Sequence, residues 1–102
     1  MLIRIVRMYF QEDKIEDFLK IFEESKNLIR TFEGCEHLEL WQDTSLPNVF
    51  CTYSHWKDES YLEKYRQSEL FQTTWAKTKM LFAEKPQAFS LNTLQIVMPK
   101  NS

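Results

Sequence analysis

Hydrophobic positions follow two different periods in the first third of the chain. Residues 2–10 are rich in β-branched and aromatic side chains, which is typical of a strand covered on both faces. From Asp13 onward, apolar residues recur at the spacing of an amphipathic helix. They are Ile15, Phe18, Leu19, Phe22, Ile29 and Phe32. Asp13 and Glu16 stand at capping-box spacing, and Gly34 is placed to end the helix in a left-handed conformation.

The middle of the chain changes to alternation with a period of two. Residues 35–42 place Leu38 and Leu40 on one side of a strand, and residues 49–56 form a second apolar and aromatic run. Only the short loop 43–48 separates the two runs. This pattern predicts an antiparallel hairpin.

Helical spacing returns after Asp58, which can cap a second helical region. The region is expected to break near residues 67–68 into a short first part and a longer second part, which Pro86 stops. Residues 89–98 then predict a last strand before a polar tail, 99–102. The apolar positions of the helical region are Tyr61, Leu62, Tyr65, Phe71, Trp75, Leu81 and Phe82.

The order of these elements is βαββαβ. This is the order of the ferredoxin-like α+β fold, in which two helical regions cover one face of a four-stranded antiparallel sheet. One such domain is expected over residues 1–98. Because three strands carry apolar or aromatic side chains on both sides, the uncovered sheet face is expected to pack against a second copy. The chain is therefore predicted to form a homodimer.

Composition excludes several classes of function. The 102 residues include a single glycine, so loops that cradle phosphate with several glycines are excluded. Thirteen Lys and Arg are interspersed with fifteen Asp and Glu, and we therefore expect no nucleic-acid partner. No apolar run approaches the ~20 residues that span a bilayer, and the first ten residues do not form a signal peptide. We expect a cytoplasmic protein without a membrane partner.

The two histidines are the side chains whose ordinary pKa lies near neutrality. The register of the hairpin decides whether they meet. If the numbers of paired residues add up to 92, His37 lies opposite His55, with Glu39 next on the same face. If they sum to 91, His55 faces the other way, because a slip of one residue reverses a strand. The first register would allow a divalent metal on these three side chains. Chance placement on a strand surface is the commoner cause, so no metal is predicted.

Neither cysteine is expected to form a disulfide or to act as a nucleophile. Cys35 and Cys51 are about five residues out of step in the hairpin, or ~16 Å along the strands, far beyond the ~7 Å limit for a disulfide. Their strand positions also show neither the helix N-terminus nor the cationic neighbour that would activate a thiol, as far as the sequence displays them. The chain contains no G-x-S-x-G motif either, so hydrolase chemistry has no support.

Aromatic side chains make up 15% of the chain and concentrate on the hairpin and the second helical region. Most are expected to serve as core. Several that converge between the sheet and a broken helix would also form a flat apolar pocket for an aromatic or polycyclic ligand. The residues predicted to line this pocket are Arg7, Trp41, Tyr53, Tyr61, Phe71 and Trp75, together with Trp56 and Tyr65.

The stretch from Gly34-Cys35 through HLELWQD and FCTYSHWKDESYLEKYRQSELFQ resembles the antibiotic biosynthesis monooxygenase superfamily. The matching residues are Glu39, Leu40, Asp43, Trp56, Leu62, Ser68 and Phe71. The resemblance implies a dimeric ferredoxin-like α+β barrel with a pocket between the sheet and helices of each subunit. Some members oxygenate polycyclic phenols or quinols without metal or flavin, others degrade haem, and many have no established reaction.

The chain departs from the family pattern at its helix positions. Many members carry a histidine where this chain has Tyr65. Haem-degrading relatives have a tryptophan there, a histidine ten residues later as the iron ligand, and an asparagine in strand one. Here the later position is Trp75 and no asparagine lies near Arg7. Because an indole does not ligate iron as an imidazole does, haem degradation is disfavoured.

Two functions remain as hypotheses. The first is a monooxygenase without a cofactor, in which Trp56 and Tyr65 position an aromatic substrate and His37, His55 or Arg7 exchange a proton or hold an anion. The second is a binding or accessory module that uses the same pocket without catalysis. The missing helix histidine favours the second hypothesis, whereas the concentration of aromatic residues favours the first.

Overall fold

A computed structural model describes residues 1–100, which form one four-stranded sheet and three α-helices. The first half contains β1 (Leu2–Phe10), a 3-10 turn (Glu12–Lys14), α1 (Ile15–Arg30), β2 (Cys35–Gln42) and β3 (Val49–Trp56). The second half contains α2 (Glu59–Arg66), α3 (Glu69–Lys79) and β4 (Phe82–Asn92). No helix in these hundred residues has the length and apolar character needed to cross a membrane.

The sheet has the strand order β2-β3-β1-β4, and every neighbouring pair is antiparallel. The helices cover one of its faces, so the predicted ferredoxin-like α+β fold is confirmed. The hairpin strands have the predicted bounds. Their register places His37 opposite His55, which selects the sum of 92 from the two registers that the sequence left open.

Two apolar clusters join the helices to the sheet. In the larger cluster, Phe10 is fully buried and its ring stacks on Phe18 of α1, with centroids 4.2 Å apart. Met8 and Phe50 complete its buried part. This confirms that the apolar stripe of α1 faces the sheet. The smaller cluster lies at the other end of the sheet and contains Leu2, Cys35, Trp56 and Leu62.

Gly34 makes the turn from α1 into β2 with φ +87°, the left-handed conformation that the sequence predicts. A Cβ at this position would overlap the side chain of Tyr61. Two requirements therefore coincide on this residue, because it needs both a positive φ and a close approach to an aromatic ring.

The caps of the second helical region are also as predicted. Asp58 Oδ1 accepts a hydrogen bond from Ser60 N at 2.8 Å at the start of α2. Ser68 Oγ accepts one from Phe71 N at 3.1 Å at the start of α3, which explains the break at residues 67–68. The capping box at Asp13 and Glu16 is wrong, because a 3-10 turn precedes α1 and no side chain caps it.

The last strand begins and ends earlier than predicted, at Phe82–Asn92 rather than residues 89–98. Pro86 does not stop a helix, since α3 ends at Lys79. The proline lies instead in an edge strand beside a register shift, where a missing N–H is tolerated. The strand ends where its partner ends, because Asn92 already pairs with Leu2.

Candidate functional site

A cavity of about 310 Å³ lies between the sheet and the helices. All four strands and all three α-helices contribute to its walls, and most of the lining side chains are apolar. It lies between the two buried clusters, where the helices do not fill the space over the middle of the sheet. Its size and apolar character are those of a small-molecule site.

One wall of the cavity consists of four aromatic rings in series. Trp56 stacks on Tyr65 with centroids 4.9 Å apart, and Tyr65 meets the edge of Phe71 at 5.2 Å. Phe71 in turn stacks on Trp75, with ring centroids 5.7 Å apart and an angle of 12° between the ring planes. All four were predicted pocket or positioning residues, and all four line the cavity.

The indole of Trp56 is held in place by a short chain of hydrogen bonds. Its Nε1 donates to Ser54 Oγ at 3.0 Å, and that hydroxyl donates to the Arg4 carbonyl at 3.4 Å. Trp56 and Ser54 are both buried. Because its N–H is already satisfied, the indole offers the cavity an apolar surface.

The hydroxyl of Tyr65 has no hydrogen-bond partner within residues 1–100. No buried polar side-chain atom in that range is left unpaired, so this hydroxyl must reach open space. Burial of the ring, and less strongly the nearby Cys35, raises the pKa of Tyr65 above its ordinary value. At neutral pH the phenol therefore keeps its proton and can donate a hydrogen bond to a ligand.

Two arginines also line the cavity. Arg4 Nη1 donates to Ser90 Oγ at 2.9 Å, and Arg66 Nη1 donates to Glu63 Oε2 at 3.3 Å. Sequence reasoning missed both residues. A signal was present for Arg4, because it shares the even-numbered face of β1 with the buried Leu2 and Met8.

The remaining predicted site residues do not line this cavity. Neighbouring strand residues point to opposite faces of a sheet, so Tyr53 and His55 face away from the side that Ser54 and Trp56 occupy. We call the face away from the helices the outer face. Its residues include Ile3, Ile5, Arg7, Tyr9, His37, Glu39, Trp41, Cys51, Tyr53, His55, Gln87, Phe89 and Leu91.

Polar and aromatic contacts connect the side chains of the outer face. The rings of His37 and His55 lie 5.1 Å apart, His55 Nε2 is 2.6 Å from Tyr53 Oη, and His37 Nε2 contacts Glu39. Trp41 stacks on Tyr53 at 4.6 Å. In the described part of the chain, no group of three or more His, Cys, Asp or Glu side chains is arranged to hold a metal.

Arg7 forms an ion pair on the outer face rather than lining the cavity. Its Nη2 lies 3.0 Å from Asp43 Oδ2, and its Nε donates to Tyr9 Oη at 3.0 Å. The hydrogen bond that Arg7 donates to Asp43 is the largest cause that raises the pKa of Arg7. Asp43 has a lowered pKa because it accepts hydrogen bonds from Ser45 N and from Arg7.

Tyr61 and the two cysteines lie outside the cavity as well. Tyr61 packs against Gly34 and the smaller cluster. Cys35 is buried and Cys51 half-buried, and both thiols are free, as predicted. Burial raises the pKa of Cys35, which makes its thiol a poor nucleophile.

Comparison with known proteins gives a consistent result. Residues 1–77 match the family model described as antibiotic biosynthesis monooxygenase. Among curated proteins, none matches this chain in sequence.

Several solved structures share the fold. A crystal structure of an antibiotic biosynthesis monooxygenase superposes with a TM-score of 0.88 at 18% identity, over 93% of this chain and 100% of the other. A conserved protein from Methanosarcina mazei Go1 gives 0.84 at 18% identity, over 89% and 91% of the two chains. Rv0793 from Mycobacterium tuberculosis superposes with a TM-score of 0.86 at 14% identity, over 95% of this chain and 98% of the other.

Proposed function

This chain belongs to the antibiotic biosynthesis monooxygenase family, and from that premise we propose that it oxygenates an aromatic or polycyclic phenol or quinol without metal or flavin. The cavity between sheet and helices is the proposed reaction site. The supporting observation is the aromatic wall formed by Trp56, Tyr65, Phe71 and Trp75 along a space of about 310 Å³. An apolar wall of aromatic side chains suits a ligand that itself carries aromatic rings.

In the proposed reaction the substrate supplies its own electrons. Loss of a proton leaves a carbanion, whose electron pair forms a carbon–oxygen bond with O₂. The peroxide anion then takes up a proton, and loss of water, which carries away the one hydrogen of that ring carbon, leaves a carbonyl group. One oxygen atom enters the product and the other leaves as water, so the balance needs no further reductant. The protein contributes orientation and exclusion of water.

Trp56 and Tyr65 are the proposed positioning residues. The indole of Trp56 is held by Ser54, and the protonated Tyr65 hydroxyl can donate to a substrate oxygen on which negative charge develops. His37 and His55 lie across the sheet and have no part in this proposal.

One observation favours the second candidate function, a binding or accessory module. No histidine, aspartate or glutamate of residues 1–100 lines the cavity. The cavity thus lacks a side chain that would readily accept a proton near neutral pH. A monooxygenase of this kind would need a substrate acidic enough to lose its proton to bulk water before it enters the cavity.

Oxygen uptake with a panel of quinols and phenolic polycyclic compounds tests the proposal. We expect uptake with at least one of them, and we expect Tyr65→Phe to lower kcat/KM about tenfold through the lost hydrogen bond. Tyr61→Phe is the matched control, because this tyrosine is also in α2 but outside the cavity. If no compound raises uptake above buffer while the panel still binds, the accessory function replaces the enzyme.

We also propose that the outer face is buried in a homodimer. Trp41, Phe89 and Leu91 each expose more than two-fifths of their surface there, at 41%, 47% and 48%. Apolar side chains of this size lose contact with water when a second copy covers the sheet face that carries them. A two-fold axis through this face would leave the cavity of each subunit on the outside of the sheet pair.

A further inference from the structure

The charged lining of the cavity has one sign. Within residues 1–100, the charged side chains that line it are Arg4 and Arg66, and the remainder are apolar or uncharged polar groups. Arg4 comes from β1, directly opposite Ser54 of β3, and Arg66 is the last residue of α2. The two residues therefore come from opposite walls, one from the sheet and one from the helical layer.

The two guanidinium groups are close enough for their charges to interact. Burial lowers the pKa of Arg4 most, and the positive charge of Arg66 lowers it further. Glu59 and Glu63 act in the opposite direction from the solvent side of α2. Like charges that share an apolar space are unfavourable, and an anion between them would relieve both the repulsion and the lost hydration.

Most donors of the two arginines are not used by the protein. A guanidinium group carries five N–H donors. Arg4 donates one of them to the Ser90 hydroxyl. No carboxylate of the described residues lies within ion-pair distance of Arg4. Arg66 contacts Glu63 through one nitrogen. Both groups thus retain donors for a ligand oxygen.

From this arrangement we infer that the cavity takes an aromatic ligand bearing an anionic oxygen group, which Arg4 and Arg66 hold at one end while the ring lies against Trp56 and Tyr65. The inference rests on the cavity of the proposed function and adds the charge of its ligand. The aromatic and cationic groups belong to one site, because Trp56, Tyr65 and both arginines line the same cavity. Charge-assisted hydrogen bonds from both arginines favour the anion over a neutral analogue.

Binding of a matched pair of probes tests this inference without any turnover. The probes are 2-naphthoate and 2-naphthalenemethanol, which share the ring system and differ in charge. Calorimetric titration of the full chain at neutral pH is expected to show naphthoate binding about tenfold or more tightly than the alcohol. The advantage should diminish as salt is added, because Arg66 is exposed.

Arginine variants locate the effect. Arg4→Gln and Arg66→Gln should each remove most of the preference for naphthoate and leave binding of the alcohol nearly unchanged. Arg30→Gln is the control, because Arg30 is exposed and its Nη1 contacts the Cys35 carbonyl outside the cavity. Circular dichroism and the thermal midpoint verify that each variant folds. Should Arg4→Gln fail to fold, Arg66→Gln alone decides the outcome.

The outcomes separate this inference from the proposed reaction. Naphthoate that binds no more tightly than the alcohol, including no binding of either, overturns the inference, as does a preference that survives both glutamine variants. Arginine-dependent binding of naphthoate supports it even if no phenol in the panel consumes oxygen. In that case the monooxygenase proposal fails and the anion site remains.

Discussion

Gly34 shows how one residue determines the join between a helix and the sheet. Its positive φ reverses the chain after α1, and its missing Cβ leaves room for Tyr61 at the start of α2. The left-handed turn could be predicted from the sequence, since a glycine that follows a helical stripe usually ends the helix. The contact with Tyr61 could not, because it joins residues far apart in the chain.

Replacement of Gly34 by alanine should destabilise the fold by about 2 kcal/mol or more, from backbone strain and from overlap with Tyr61. Urea unfolding at one fixed protein concentration measures the change. In a Tyr61→Ala background the same substitution should be less damaging, because the overlap with the ring of Tyr61 is removed, whereas the overlap with its Cβ and the backbone strain remain. An unchanged unfolding midpoint for Gly34→Ala would contradict this explanation.

At the scale of the elements, the sequence predicted helix ends correctly where a nearby side chain hydrogen-bonds the free backbone N–H groups. Asp58 and Ser68 cap their helices because each side chain reaches the free N–H groups of the next turn. The prediction of β4 failed because a strand's bounds depend on its neighbour. Pro86 stops a helix in isolation, yet an edge strand beside a register shift accommodates it.

The cap at Asp58 should make stability depend on pH. The Ser60 hydroxyl is the largest cause that lowers the pKa of this carboxyl below its ordinary 3.8. Because this pKa is lower in the folded than in the unfolded state, the ionised carboxyl stabilises the fold at any pH above its unfolded-state pKa. That stabilisation is lost as the pH falls through the folded-state pKa.

Asp58→Asn keeps the capping oxygen and removes the charge, so it isolates this effect. The wild-type protein should exceed the variant in unfolding free energy at neutral pH, and the difference should shrink below about pH 4. Urea titrations of both proteins across this range measure it. A difference that does not change between neutral and acidic pH would show that the charge does not contribute through its pKa.

At the scale of the whole molecule, the sheet separates two sets of functional candidates. Strand alternation puts Trp56 on the cavity side and His55 on the outer face, although they are neighbours in the chain. The sequence alone could place both in one hairpin but could not say which face the helices cover. This explains why Trp56 lines the cavity while Trp41, Tyr53 and Arg7 do not.

The proposed homodimer makes a prediction at this scale. Phe89→Glu places a charge on the outer face at its β4 edge and should convert a dimer into a monomer in light scattering at micromolar concentration. Leu28→Glu is the control, because Leu28 is similarly exposed, at 59%, but lies on α1. A wild-type protein that is already monomeric would refute the dimer.

The sequence by itself determined the order of the elements, the hairpin bounds, the turn at Gly34 and the helix break at residues 67–68. These features depend on periodicity and on contacts among near neighbours, which a single sequence displays. Tertiary structure alone decided the hairpin register, the bounds of β4 and the placement of Arg4 and Arg66 in one cavity with the aromatic wall. Each of these depends on which distant segments become neighbours, and that follows from the packing of the helices on one face of the sheet.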